Sequence, residues 1–382
     1  MVSLRLGRRQ AVATAAALPF TFIHTGRAAG RLSIAFMSSL VPGCDQSVQR
    51  LVESWGEKNN IAVRADFLSA VTSQSLVVPQ AEAQARAGHD IIHFLDYNVV
   101  GYIDQLEPVD DVVARLVAIY GPPFPETEYF AKPAAAWRAV PTGMGSLYLP
   151  SESRIDSFRD HAGLDVPATF PPGPEMGPHY DQWDWTRFLM AAEKCFKAGV
   201  PFGLPISNCA DANAWINALF LSFDARLVDA SGNVTVRSEG VREALDYIKR
   251  LAQFLPPDVY AWTSASNNRA LISGKSALIF NPPSAWASAV KTNPTIGEQI
   301  WHHPLPGGKY GRFLPWGPTF LGIWNFSRNK TAAKELITWL GERAQVEATL
   351  VTSQGYDVPP FASLNDFPIW AEAEPPKGTL YN

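Results

Sequence analysis

Residues 31–95 switch repeatedly between two periodicities. Leu32-Ser33-Ile34-Ala35-Phe36 sets an apolar side chain at every second position, which is a strand. Val48, Leu51, Val52 and Trp55 then recur at helical spacing, with Asp45 or Ser47 placed to cap the free N–H groups of that helix. Residues 61–67 read as a second strand, an Ala- and Gln-rich helix over about 74–87 stops at Gly88, and Asp90-Ile91-Ile92-His93-Phe94-Leu95 is a third strand. The third is continuously apolar, as a strand covered by helices on both faces must be. Strand, helix, strand, helix, strand within about 65 residues implies a parallel α/β sheet, because parallel neighbours need a crossover between them.

Further along, Ala139-Val140-Pro141-Thr142-Gly143-Met144-Gly145-Ser146-Leu147-Tyr148 is extended, broken by Pro and Gly, and followed by a second αβ series. It reads as a crossing between two lobes. Residues 170–184 form a Pro/Gly-rich loop. Helices follow at about 184–198, 211–223 and 239–255, the last with Val241, Ala244, Leu245, Ile248, Leu251 and Ala252 on one face. Asp229-Ala230-Ser231-Gly232-Asn233 is turn chemistry joining two short strands. A buried strand after Ser273-Gly274-Lys275, an extended passage over 304–318, a strand at 320–324 and a helix over about 331–351 complete the series.

Charge is uneven. The chain carries 32 basic and 36 acidic side chains, but residues 1–28 hold four arginines and no acid, so the remainder has a net charge of −8. Without a basic excess, nucleic acid is not an expected partner. A composition 47% hydrophobic and 18% charged excludes a disordered chain. The basic head, the apolar run over 11–23 and the small residues near Gly26-Arg27-Ala28-Ala29 make residues 1–29 an export signal. Arg8-Arg9 resembles the pair of a twin-arginine signal, an ordinary secretory leader being the alternative. Three cysteines imply no disulfide framework.

Catalytic signatures are missing: there is no Gly-x-Ser-x-Gly elbow, no phosphate loop, no dinucleotide turn and no His/Cys spacing for a metal. His302-His303 are adjacent and would point to opposite faces of a strand. The carboxylate pairs Asp110-Asp111 and Asp181 with Asp184 read as solvated charges or caps. Aromatic and amide side chains at loop positions are the sharper signal. Phe94, Asp96, Tyr97 and Asn98 end a parallel strand, where open α/β sheets bind ligands. Trp215 lies in the first turn of a helix, Trp286 follows Asn281-Pro282-Pro283-Ser284-Ala285, and Trp316 sits in Leu314-Pro315-Trp316-Gly317-Pro318. An aromatic face packs on the C–H face of a sugar while Asp and Asn bind its hydroxyls. Trp55 and Trp339, on amphipathic helices, read as core.

Several passages, in order, resemble the family-1 extracellular solute-binding proteins of ABC importers, the group that includes maltose-binding protein. They are Gly88-His89-Asp90-Ile91-Ile92 with Leu106-Glu107-Pro108-Val109-Asp110-Asp111, Val140-Pro141 through Leu147-Tyr148, and Gly163-Leu164-Asp165-Val166-Pro167-Ala168-Thr169. Ser273-Gly274-Lys275-Ser276-Ala277-Leu278 through Trp286 and Asn329-Lys330-Thr331-Ala332-Ala333-Lys334-Glu335-Leu336-Ile337 follow. The resemblance covers almost all of 31–362.

It implies an α/β, two-lobed periplasmic-binding-protein fold of type II, its lobes joined by hinge strands. One lobe would comprise 31–139 and 320–358, the other 142–318 and 359–382. It also implies a monomer that closes on a small-molecule solute, most naturally a sugar, sugar alcohol or oligosaccharide, and delivers it to a membrane permease and ATPase without cofactor or metal. Ser38, Ser39, Asp96, Tyr97, Asp211, Trp215 and Trp286 correspond to its contact segments, and Asp45, Asn98, Met144, Asn208, Asn281, Trp316 and Gly317 complete the candidate ligand set. Three departures stand out. The hinge position that is often Glu is Met144 or Gly145, the 170–184 loop is long, and 374–382 has loop composition where the family continues into helices. An exported glycan-acting hydrolase and a ferric-ion binder of the same fold are the alternatives, along with a sensory or scaffolding role.

Overall fold

The computed structural model describes residues 30–372 except 70, 71, 73, 173–176, 178, 179 and 362, and only the backbone of Asp96, Ser146, Leu147, Ala371 and Glu372. The export signal and the last ten residues therefore lie outside the described residues. In chain order, β1 (Arg31–Met37), α1 (Cys44–Asn59), β2 (Ala62–Leu68), α2 (Gln74–Ala85), β3 (Ile91–Leu95) and α3 (Asp110–Tyr120) build the first lobe. β4 (Ala139–Tyr148) leads into β5 (Ser151–Arg154) of the second lobe. That lobe continues with α4 (Trp185–Lys197), α5 (Ala210–Ser222), α6 (Glu239–Leu251), α7 (Ser266–Ile272), β6 (Leu278–Phe280), α8 (Ser284–Thr292) and β7 (Ile300–His303). β8 (Trp316–Ile323), α9 (Lys330–Leu340) and α10 (Arg343–Thr352) return to the first lobe.

The first sheet has the order β2-β1-β3-β8-β4. β1 is parallel to β2 and β3, and the returning β8 is inserted antiparallel between β3 and β4. β3 is buried along its first four residues, as its unbroken apolar run requires. β4 and β8 are the two hinge strands. Their register shifts between Thr142 and Leu147, where Gly143 and Gly145 interrupt a regular ladder. The second sheet is three antiparallel strands, β6-β5-β7.

Each lobe has its own apolar core. Ile34, Ile91, Phe320 and Trp324 anchor the first; Phe158, Phe188, Phe202 and Trp215 anchor the second. A third cluster joins the lobes, packing Val41, Cys44 and Tyr356 of the first against Leu271, Ile279 and Trp286 of the second. The chain is thus in a closed arrangement.

The fold differs from the sequence reading in four places. The first sheet keeps the chain through Tyr148 and takes it back at Trp316, so the crossings fall later and earlier than 139–142 and 318–320. The described part of 359–370 does not join the second lobe. Phe361, Leu364 and Phe367 are buried in the first core, and the Phe124 N–H donates to the Pro360 carbonyl at 2.9 Å, because the apolar flank of α3 is open to them. The helix expected over 331–351 is two, α9 and α10. Gly341 lies so close to α3 that a Cβ there would be 2.9 Å from Leu116, and Glu342 is extended. Around 229–233 a single bridge, Val228 to Val234, replaces the two short strands. Among the described residues no helix is long and apolar enough to cross a membrane.

Candidate functional site

Two connected cavities occupy the cleft between the lobes. The inner one, of about 100 Å³, lies against the hinge; the outer one, of about 490 Å³, opens from it, and Leu95 and Ala210 line both. The loop after β1 supplies Ser38 and Ser39 to the inner chamber, and both are bound to Asp45: Ser38 Oγ donates at 2.5 Å and the Ser39 N–H at 2.8 Å. Neither Asp45 nor Ser47 caps α1, whose N-cap position is Gly43. Asp45 instead fixes the loop.

Asp211 enters from the second lobe, in the first turn of α5, where backbone N–H groups favour a carboxylate. It is 3% exposed and accepts from Asn267 Nδ2 at 2.9 Å. Burial pushes its carboxyl up to about 7, reinforced by the charge of Glu152 and opposed by Asn267 and Ser264. Asn281 beside it is set by a buried network. Its Nδ2 donates to Glu152 Oε1 at 3.1 Å and its Oδ1 accepts from Asn267 at 3.1 Å, while Glu152 Oε2 accepts the Trp286 N–H.

From the first lobe come three groups with no sequence signal of their own: His93, Tyr356 and Asp357. Asp357 accepts the Gly145 N–H at 2.8 Å, and burial raises its carboxyl to about 7 as well. Gly145 has φ +68, a left-handed conformation that favours glycine at this hinge contact. His93 Nδ1 accepts the Met37 N–H at 3.3 Å, which places the ring proton on Nε2. Burial pushes the imidazole down to about 4, opposed by a backbone hydrogen bond with Met144. Phe36 and Phe67, stacked at 5.7 Å, form an apolar wall.

No Lys or Arg is among the described residues lining either cavity, and no cluster of three His, Cys, Asp or Glu is placed to hold a metal ion. The arrangement offers acceptors, hydroxyls and rings to a solute held by both lobes. Among the described residues it offers no Lys or Arg to an anion.

A family model for the bacterial extracellular solute-binding proteins matches residues 39–347. The chain belongs to that family. No curated protein sequence matches it significantly. Among solved structures it is similar to the maltose-bound T. maritima MalE3, at 19% identity and a TM-score of 0.77, over 90% of this chain and 85% of that one. The GacH receptor of Streptomyces glaucescens, solved unliganded and with acarbose, gives 19% identity and 0.70 over 90% and 84%. An Agrobacterium vitis solute-binding protein with bound D-mannitol gives 19% and 0.69 over 90% and 80%. These likenesses establish the two-lobed fold.

In this solute-binding protein, six of the residues named from sequence line the inner chamber: Ser38, Ser39, Asp45, Met144, Asp211 and Asn281. Tyr97, Asn98 and Trp316 line the outer one, Trp316 edge-on to Phe124 at 5.6 Å. The side chain of Asp96 lies outside the described residues. Four residues do not line the cleft. Trp215 is fully buried in the second core, its Nε1 donating to the Pro205 carbonyl at 2.9 Å. Trp286 is buried in the cluster between the lobes, its ring edge-on to His302. Gly317 is a buried residue of β8, and Asn208 is exposed on the loop before α5.

Proposed function

We propose that the protein is the substrate-binding component of an ABC importer, capturing a sugar, sugar alcohol or short oligosaccharide. One observation carries the reading. The inner chamber is shared by both lobes and combines the acceptors Asp45, Asp211 and Asp357 with serine hydroxyls and aromatic rings, and no basic side chain lines it among the described residues. Such a lining suits the hydroxyls and C–H faces of a polyol and disfavours carboxylates and phosphates. One ring or chain end would sit in the inner chamber, with further units in the outer one beside Tyr97 and Trp316. The maltose, acarbose and D-mannitol held by similar structures agree with that chemistry. Solute contacts to both lobes would favour the closed state, the form a permease and its ATPase would engage.

The Arg8-Arg9 leader would direct export, by the twin-arginine route, to the periplasm, where the protein would work as a monomer without cofactor. Thermal-shift screening against sugars, sugar alcohols, organic acids and amino acids tests the ligand class. A melting shift with sugars or polyols is expected; a shift with organic acids and none with polyols overturns it.

A further inference from the structure

Glu152 lies in β5, fully buried, and is not among the residues lining the inner chamber, yet the chamber's second-lobe wall leads to it. Both of its oxygens accept. Oε1 takes the Asn281 Nδ2 at 3.1 Å, and Oε2 takes the N–H of Trp286, in the first turn of α8, at 3.1 Å. His302 Nε2 stands 3.6 Å from Oε2. A carboxylate held between two N–H groups accepts from both, so Asn281 turns its nitrogen to Glu152 and its oxygen away.

At the far end the direction is fixed again. Asn267 Oδ1 accepts the Asn268 N–H at 3.0 Å, which commits Asn267 Nδ2 to Asp211 Oδ2 at 2.9 Å and to Asn281 Oδ1 at 3.1 Å. The backbone N–H groups of Trp286 and Asn268 thus anchor a chain, Asp211–Asn267–Asn281–Glu152, in which each of these donors meets an acceptor. All of its members belong to the second lobe. The carboxylate at 152 closes it. An amide there would give its oxygen to the Trp286 N–H and face Asn281 nitrogen to nitrogen. Asn281 could then turn over only by facing Asn267 in the same way, and Asn267 is held by the backbone. Buried donors that face donors are costlier than bonds merely absent. The charge of Glu152 also reaches Asp211, where it helps to hold the carboxyl up.

We infer that Glu152 is a positioning residue for solute recognition: it sets the direction of the Asn281 amide and, through Asn267, the seat of Asp211, so that oxygen acceptors rather than amide protons mark this wall and select solutes that bring hydroxyl donors. This rests on the polyol reading above and places part of its discrimination on a residue behind the chamber.

Three variants test it: Glu152→Gln, Asn281→Asp, and the two together. The pair exchanges amide and carboxylate and restores the match, because the carboxylate at 281 then accepts from both neighbours. Calorimetry uses glucose, galactose, mannitol and maltose, then the deoxy analogues of whichever binds. Each single variant is expected to weaken the hydroxylated solute about tenfold or more and to cut its preference over the most strongly rejected deoxy analogue to within about threefold. The double variant should recover both to within about threefold of the wild type. A role in folding alone would weaken parent and deoxy solutes alike, so an unchanged preference in Glu152→Gln overturns the inference, as does a double variant no better than the singles. NMR of the solute-free protein reads the chain without a solute. The Asn281 side-chain amide signals, assigned by their loss in Asn281→Asp, are expected to move in Glu152→Gln, and unmoved signals overturn the inference. If no probe binds the wild type, the polyol reading falls while these signals still decide whether Glu152 directs Asn281. Where Glu152→Gln fails to fold, a double variant that folds and binds supports the pairing, and failure of both overturns it.

Discussion

Lys291, in the last turn of α8 in the second lobe, donates from Nζ to the carbonyl of Thr352 at the C-terminus of α10 in the first, at 2.8 Å. A second bond from the same ammonium to the Pro42 carbonyl, at 3.0 Å, ties it to the loop before α1. A cation at a helix C-terminus meets carbonyls that lack intrahelical partners, and this one spans the cleft to reach them. It acts as a latch on the closed arrangement.

Lys291→Ala should therefore weaken closure without touching the chamber. The contact is exposed, so its worth is about 0.5–1 kcal/mol, which predicts a roughly two- to fivefold rise in Kd. Small-angle scattering of the solute-free protein should show a larger radius of gyration for the variant. An unchanged Kd together with an unchanged radius would remove the latch.

Asp357 supplies a pH prediction. Burial pushes its folded carboxyl up to about 7 from the usual range near 4, so the folded state holds the proton more tightly. The stabilisation is fully present below about pH 4 and is lost as pH rises through 7. His93 and His303, pushed down to about 4 and about 3 by burial, run the other way: they withdraw stability as pH falls below 6.5. The two trends oppose in the wild type, and Asp357→Asn separates them. The amide oxygen can still accept the Gly145 N–H. Without solute, the variant should melt above the wild type at pH 8, by up to about 4 kcal/mol of stability, and level with it near pH 4. Melting curves across that range check it, and a gap that widens toward pH 4 would refute the assignment.

Trp215→Ala should unfold the second lobe rather than blunt recognition. The ring is fully buried among Pro205, Phe280 and the second core, and removing it is expected to destabilise by about 3–5 kcal/mol. Trp215→Phe, which keeps most of the volume, should hold solute affinity within about twofold. Denaturant unfolding beside calorimetry distinguishes the outcomes. A stable Trp215→Phe with affinity lost would return this residue to the site.

That placement shows where sequence stops being informative. The βαβαβ start over 31–95 was legible because strand and helix periods are local, Tyr97 and Asn98 followed from the end of a parallel strand, and Ser38 and Ser39 from the resemblance. Insertion of β8 between β3 and β4, and burial of Phe361 and Phe367 in the first core, depend on contacts between residues far apart in the chain and leave no local pattern. Asp211 and Trp215 lie four apart on one helical face, yet the first residue meets the chamber and the second, one turn deeper, meets the core. Periodicity cannot divide a face along its length. His93 read as one more residue of a buried strand, and Asp357 carries no pattern of its own. Only the hinge brings them together: Asp357 binds Gly145, whose Cβ position lies 3.9 Å from His93.

Trp316 yields the remaining prediction. It is half-buried in the outer cavity, held edge-on by Phe124, at the start of the β8 hinge strand and opposite Tyr97 in chain origin. The described lining of that cavity carries no charge, only amides, rings and aliphatic groups. A second or third sugar unit would stack there, gaining about 0.5–1.5 kcal/mol from one aromatic face. Trp316→Ala should leave the affinity for a one-ring or open-chain solute within about twofold and weaken a two- or three-ring solute about three- to tenfold. Calorimetry with glucose, maltose and maltotriose, or the matching series of whichever sugar binds, reads the difference directly. Equal losses across the series would mean that Trp316 shapes the hinge rather than the solute, since its backbone pairs with Tyr148 where the chain passes between lobes.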